Sequence, residues 1–142
     1  MAIKVSTSAH IKIRKRLESD ELTASFEQLK TLVLKYKPWL RVEQNSLTHF
    51  EVWTTREASI HGKKLRKGLM FASVARFKKY IGFYFQPLYF KQTVLDETMP
   101  DLAALKTGVT CFHISTFNET IEEQTRMLLE SGWNSYKENN WV

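Results

Sequence analysis

An α+β fold, a largely antiparallel sheet of about four strands packed with N- and C-terminal helices, is what this sequence predicts, on three observations. The stretch from Gly68 to Tyr89, GLMFASVARFKKYIGFYFQPLY, reads as two apolar strands joined by a tight turn at Lys78-Lys79. Leu22, Phe26, Leu29, Leu32, Val33 and Tyr36 recur at intervals of three and four, which is helix grammar. Ile121, Thr125, Leu128 and Leu129 repeat the same spacing near the other end of the chain.

Taken in order, the chain starts with a basic stretch, residues 1–18, in which Lys4, Lys12, Arg14, Lys15 and Arg16 outnumber any apolar face. It reads as an arm loosely attached to a single domain, residues 19–142. Ser19 or Asp20 is placed to cap the first helix, with Glu21 favouring its positive end. Pro38 stops that helix, because it lacks an amide hydrogen and biases Lys37 away from helical angles. THFEVWTTR, residues 48–56, alternates, with Phe50 and Val52 on one side and His49, Glu51 and Trp53 on the other. His61 to Lys67 then reads as a basic loop punctuated by Gly62 and Gly68.

In the central ribbon a turn at Lys78-Lys79 sets Phe77 opposite Tyr80, Ala75 opposite Gly82, Ser73 opposite Tyr84 and Phe71 opposite Gln86. The other face pairs Arg76 with Ile81, Val74 with Phe83 and Ala72 with Phe85. Small residues facing small ones leave room for a ring or helix to come close. Since both faces are largely uncharged, the ribbon is expected to be covered above and below. Lys-Lys suits the positive backbone angles of the favoured two-residue turns poorly. Further on, Pro100 opens a short helix and Gly108 stops it. Val109 to Ile114 is β-prone. Asn118 or Thr116 caps the last helix and Gly132 closes it, leaving Trp133, Tyr136 and Trp141 to fasten the tail.

Composition narrows the function classes. Hydrophobic residues make up 43% of the chain and charged ones 25%, as in an ordinary globular protein, with no apolar run long enough to span a bilayer. No secretory leader is visible, and the one cysteine, Cys111, excludes an internal disulfide. The expected location is therefore cytoplasmic, with no membrane partner. The net charge of +6 is unevenly spread. Residues 1–91 carry 18 Lys and Arg against 7 acids, a net +11, and residues 92–142 carry 3 against 8, a net −5. The two basic turns, at His61–Lys67 and Lys78-Lys79, fall at opposite ends of a meander, so they form no single phosphate-tracking stripe. Nucleic acid is accordingly not an expected partner. Neither a glycine-rich phosphate loop nor a nucleophile elbow is present.

Cys111-Phe112-His113 is the sharpest local cluster, because strand spacing puts the thiol and the imidazole on one face. With His49 and Glu51 they make a candidate metal set for iron or zinc. The plainer reading is a buried cysteine beside a hydrogen-bonded histidine. Glu119, Glu122 and Glu123 sit where a helix N-terminus favours acids in any case. Trp53, Ser73, Tyr80 and Tyr84 are the candidates for a ligand pocket or a contact with a second copy of the chain.

The tracts Met70–Val74, Lys79–Tyr89 (KYIGFYFQPLY) and Leu105–Ile114 (LKTGVTCFHI), between two helices, resemble the YdhG-like family of small bacterial domains, mostly of unknown function, over about residues 20–133. The resemblance implies an α/β sandwich, and one branch of the family is described as a frataxin-like iron chaperone. The resulting expectation is a non-enzymatic binding or accessory module for an unidentified small ligand or protein. The alternatives are a metal chaperone using iron or zinc, a nucleic-acid-binding domain, and an enzyme with Cys111 as nucleophile.

Overall fold

The uncharged ribbon around Lys78-Lys79 is the middle of the molecule. In the computed structural model, which describes residues 7–91 and 95–142, with side chains from Glu21 onward, it forms β5 (Met70–Arg76) and β6 (Ile81–Phe85). The anticipated pairings from Ala72–Phe85 to Arg76–Ile81 are all present. Phe77 N donates to Tyr80 O at 2.9 Å, and neither turn lysine has a positive φ, so the chain reverses without the primed turn that Lys-Lys disfavours.

Three further strands extend the ribbon into a five-stranded antiparallel sheet, in the order β1-β2-β5-β6-β7. They are β1 (Leu40–Asn45), β2 (His49–Thr54) and β7 (Cys111–Ile114). Leu40–Asn45 is a strand the sequence reading lacked. Its residues run buried at Leu40 to exposed at Asn45 with little alternation, because it is an edge with one neighbour. The stretch expected to be a basic loop contains a second, two-stranded sheet, β3 (Ala58–Ile60) with β4 (Lys63–Leu65). Its turn places His61 at φ 50° and Gly62 at φ 78°, which matches the twist of a tight hairpin.

Helix α1 (Thr7–Leu34) begins ahead of the expected cap at Ser19 or Asp20. Nothing between Thr7 and Leu34 is Gly or Pro, so no residue there interrupts it. Of the expected basic arm, residues 1–6 lie outside the described residues. Pro38 falls in a short 3-10 turn, Lys37–Trp39, after the helix has ended. Three short helices, α2 (Pro87–Phe90), α3 (Leu95–Thr98) and α4 (Pro100–Ala103), lead to β7 and then to α5 (Glu119–Glu138). Asn118 caps α5, accepting from Ile121 N at 2.9 Å. Gly132 does not close that helix but lies inside it. A Cβ there would meet the Phe85 ring at 2.2 Å, so glycine is what lets α5 settle onto β6.

One sheet face carries the core. Phe50 and Val52, Ala72 and Val74, Ile81, Phe83 and Phe85, and Phe112 and Ile114 are all buried there. Leu22, Phe26, Leu29 and Val33 of α1 and Ile121, Leu128 and Leu129 of α5 complete it. Burying each of these large apolar side chains contributes on the order of 1.5–3 kcal/mol, the main favourable term here. Phe71 still lies opposite Gln86, whose N–H donates to its carbonyl at 3.2 Å, but its ring joins this side and not the Tyr84 face as expected. Val52 pairs with Ala72 and Trp53 with Met70, so Phe71 is the extra residue of a bulge. The bulge turns its ring onto Tyr36, Phe85, Trp133 and Tyr136, at centroid separations of 5.2–5.6 Å. Tyr136 donates to the Met70 carbonyl at 2.6 Å, which ties α5 to the same irregularity. Trp141 closes the tail over Tyr136 and Phe90, as the aromatic tail suggested.

The other face is not covered in the same way. His49, Glu51, Trp53, Tyr84, Cys111 and His113 are each partly exposed, and the two long helices lie across the sheet from them. The expected cover on both sides is therefore found on one only. The ribbon's second face is uncharged because of Ser73, Ala75, Gly82 and Tyr84, small or amphipathic residues that tolerate partial wetting.

Candidate functional site: the open sheet face

Alternation along four neighbouring strands places every one of the candidate residues on or beside this open face. His49, Glu51 and Trp53 stand on β2, Ser73 on β5, Tyr84 on β6, and Cys111 and His113 on β7. The register sets Glu51 beside Ser73, Ser73 beside Tyr84, and Tyr84 beside Cys111, a single row across the sheet. Tyr80, at the ribbon tip, stacks on His113 with centroids 4.1 Å apart. The pocket candidates and the metal candidates are thus two readings of one surface.

A polar ladder runs along β2. Trp53 Nε1 donates to Glu51 Oε2 at 2.8 Å. Glu51 Oε1 lies 3.5 Å from His49 Nε2, and that same nitrogen is 3.0 Å from the hydroxyl of the buried Ser73. A serine–histidine–acid triad needs the carboxylate on the imidazole's other nitrogen, where it fixes the tautomer. Here acid and hydroxyl meet at one nitrogen, so the cluster is built to hold polar groups in place rather than to activate Ser73. Tyr84 is partly buried and hydrogen-bonded to Cys111. Burial, and then the neighbouring thiol, raise its pKa above the ordinary tyrosine value.

The four metal candidates are not brought together. His49 and Glu51 are separated from Cys111 and His113 by β5 and β6, three inter-strand steps, or roughly 14 Å. No ion is bridged by donors at that separation. Among the described residues no three His, Cys, Asp or Glu side chains gather as a metal site would require. His113 is engaged by the Tyr80 ring.

What the face does contain is a groove of about 580 Å³ over β2, β5 and β6. Its polar lining includes His49, Glu51 and Ser73, and its apolar lining Met70, Ala75, Phe77 and Tyr84. Thr48 and Arg76 border one end and Thr110 the other. Gly82 explains how the aromatic wall forms: a Cβ there would meet the Phe77 ring at 2.9 Å and the Tyr84 ring at 3.0 Å. The small-on-small pairing of Ala75 with Gly82 is what announces this space in the sequence. Phe77, Met70, Arg76, Thr48 and Thr110 were not among the candidates. Alternation places Phe77 on this face, opposite Tyr80, but not its fold back over Gly82, and Thr110 precedes its strand, where no periodicity assigns a face. Three of the exposed large apolar residues, Phe77, Leu47 and Val109, lie in the lining or next to lining residues in sequence.

No protein-family model matches this chain, and no curated protein or solved structure is significantly similar to it.

Proposed function

We propose that the protein is a non-enzymatic binding module whose ligand is a small organic molecule, seated in the groove of the open sheet face. The observation that carries this reading is the groove itself: about 580 Å³ with apolar walls and a few convergent polar groups, within the ~300–1,000 Å³ of ordinary ligand sites. Met70, Phe77 and Tyr84 supply contact area for a ring or short aliphatic body. His49, Glu51 and Ser73, already held by one another, offer hydrogen bonds in a fixed arrangement at little ordering cost. YdhG-like membership belongs to this reading as an expectation about kinship, and it supplies no ligand.

The test is a screen of small aromatic acids, amides and amines by ligand-observed NMR, with hits mapped on the amide spectrum. Hits are expected to shift His49, Ser73, Ala75 and Tyr84 together. Ala75→Trp, which fills the groove from β5, is expected to abolish those shifts. Hits that map elsewhere, or that survive Ala75→Trp unchanged, overturn the assignment.

A further inference from the structure

The β3–β4 hairpin is the most strongly charged feature of the described residues, and the groove does not use it. Residues 56–67 contain Arg56, Lys63, Lys64, Arg66 and Lys67 against one acid, Glu57. All five bases are exposed, and none of them enters an ion pair among the described residues. Elsewhere some bases do have an acid partner, as in Arg126 with Glu122 and Arg41 with Glu43. Four like charges within five residues repel one another, and that repulsion is relieved by a polyanion.

A second feature stands at the same end of the sheet. Leu40 pairs with Thr54, from which the chain departs into the hairpin, and Arg41 Nη2 donates to the Lys67 carbonyl at 2.9 Å where it returns. The residue before Leu40 is Trp39, which is 58% exposed. It is held rather than loose: its ring lies 5.8 Å from Trp133, which in turn packs on Tyr36 at 5.0 Å. A fixed, exposed indole beside unpaired cations is the combination that single strands require, since phosphates follow the charge and an unpaired base stacks on the ring.

We infer that the β3–β4 hairpin and Trp39 together bind single-stranded nucleic acid. A membrane surface fits less well, because the hairpin keeps its apolar residues, Ala58, Ile60 and Leu65, turned toward the core and leaves Ser59, Lys64 and Arg66 outside. The Lys78-Lys79 turn lies at the far end of the sheet and takes no part, so the surface is one short patch and not a stripe.

The experiment is fluorescence anisotropy with a labelled oligothymidylate of roughly twelve nucleotides. With about three phosphates engaged, affinity is expected to fall about 20-fold between about 50 and 200 mM salt. Trp39→Ala is expected to weaken binding about tenfold with the salt slope unchanged, and Trp39→Phe to restore part of the loss. Lys63→Glu with Lys64→Glu is expected to weaken binding more than about tenfold. Thermal melts of the variants check that both surfaces remain folded. The proposal is overturned by no binding at the lower salt or by binding that ignores Trp39→Ala. Equal competition by polyglutamate, or sedimentation with phosphatidylglycerol vesicles without oligonucleotide binding, overturns it as well.

Discussion

The two faces of the central sheet are made from the same strands, one residue apart, yet they differ in almost every physical respect. Phe83 and Tyr84 are chain neighbours. Phe83 is fully buried under the helices, while Tyr84 is half-buried at the wall of a groove. The covered face is rings and aliphatic chains in contact. The open face is a row of polar groups and small residues, with one buried hydroxyl, Ser73, satisfied by an imidazole. The difference teaches that the pleat sorts the side chains: odd positions of β6 hold the fold together, and even positions stand on the open face.

The comparison is broken most violently from the covered side. Phe83→Ala is expected to cost about 3–5 kcal/mol in urea unfolding, because the emptied space cannot collapse beneath α1 and α5. Trp53→Phe on the open face, which forfeits the bond to Glu51, is expected to cost only about 1 kcal/mol. Similar losses from the two substitutions would mean that the faces are not energetically distinct.

Next in size is Gly132→Ala. The added Cβ would fall within 2.2 Å of the Phe85 ring, and the ring is locked among Phe71 and Phe83, so α5 must lift. An expected loss of about 1–3 kcal/mol, read by thermal melting, tests the closeness of that contact.

Alkaline pH sharpens the contrast through the tyrosines. Burial raises the pKa of Tyr136 and of Tyr36, the latter helped by its hydrogen bond to Glu130, above their ordinary 10.0. Both must stay neutral in the fold, while the unfolded chain ionises at its ordinary value. Their contribution is therefore fully present below pH 10.0 and is lost as pH rises above it, toward the folded pKa values. Tyr136→Phe is expected to make the alkaline decline shallower while lowering stability at neutral pH by about 1 kcal/mol through loss of the bond to Met70.

The smallest expected effect concerns metals. Because two strands, β5 and β6, separate the two donor pairs, removing Cys111 and His113 is expected to leave any weak zinc affinity of the His49–Glu51 pair unchanged in calorimetric titration. A loss of affinity at His49 on Cys111→Ala would show that the sheet bends enough to join them.

Much of the fold was legible because alternation is a local property. The register of β5 with β6 followed from one turn, and the stripes from Leu22 to Tyr36 and Ile121 to Leu129 followed from a 3.6-residue period. The candidate residues were legible for the same reason: His49, Glu51 and Trp53 alternate against Phe50 and Val52. What escaped was whatever depends on a partner. Leu40–Asn45 shows little alternation, being an edge, and the short strands 58–60 and 63–65 are recognisable only through each other. Gly132 read as a helix stop because its ring-shaped reason, Phe85, is 47 residues away.

The chain's own order of residues thus determined which side chains share a face, where the ribbon turns and which segments coil, since these depend on neighbours a few bonds away. Tertiary structure alone decided that both long helices settle on one side, that a bulge at Phe71 recruits a ring into the core, and that Phe77 folds over Gly82 to wall a groove. Those outcomes rest on shape matching between segments far apart in sequence, and no local pattern encodes which of two uncharged faces the helices will choose.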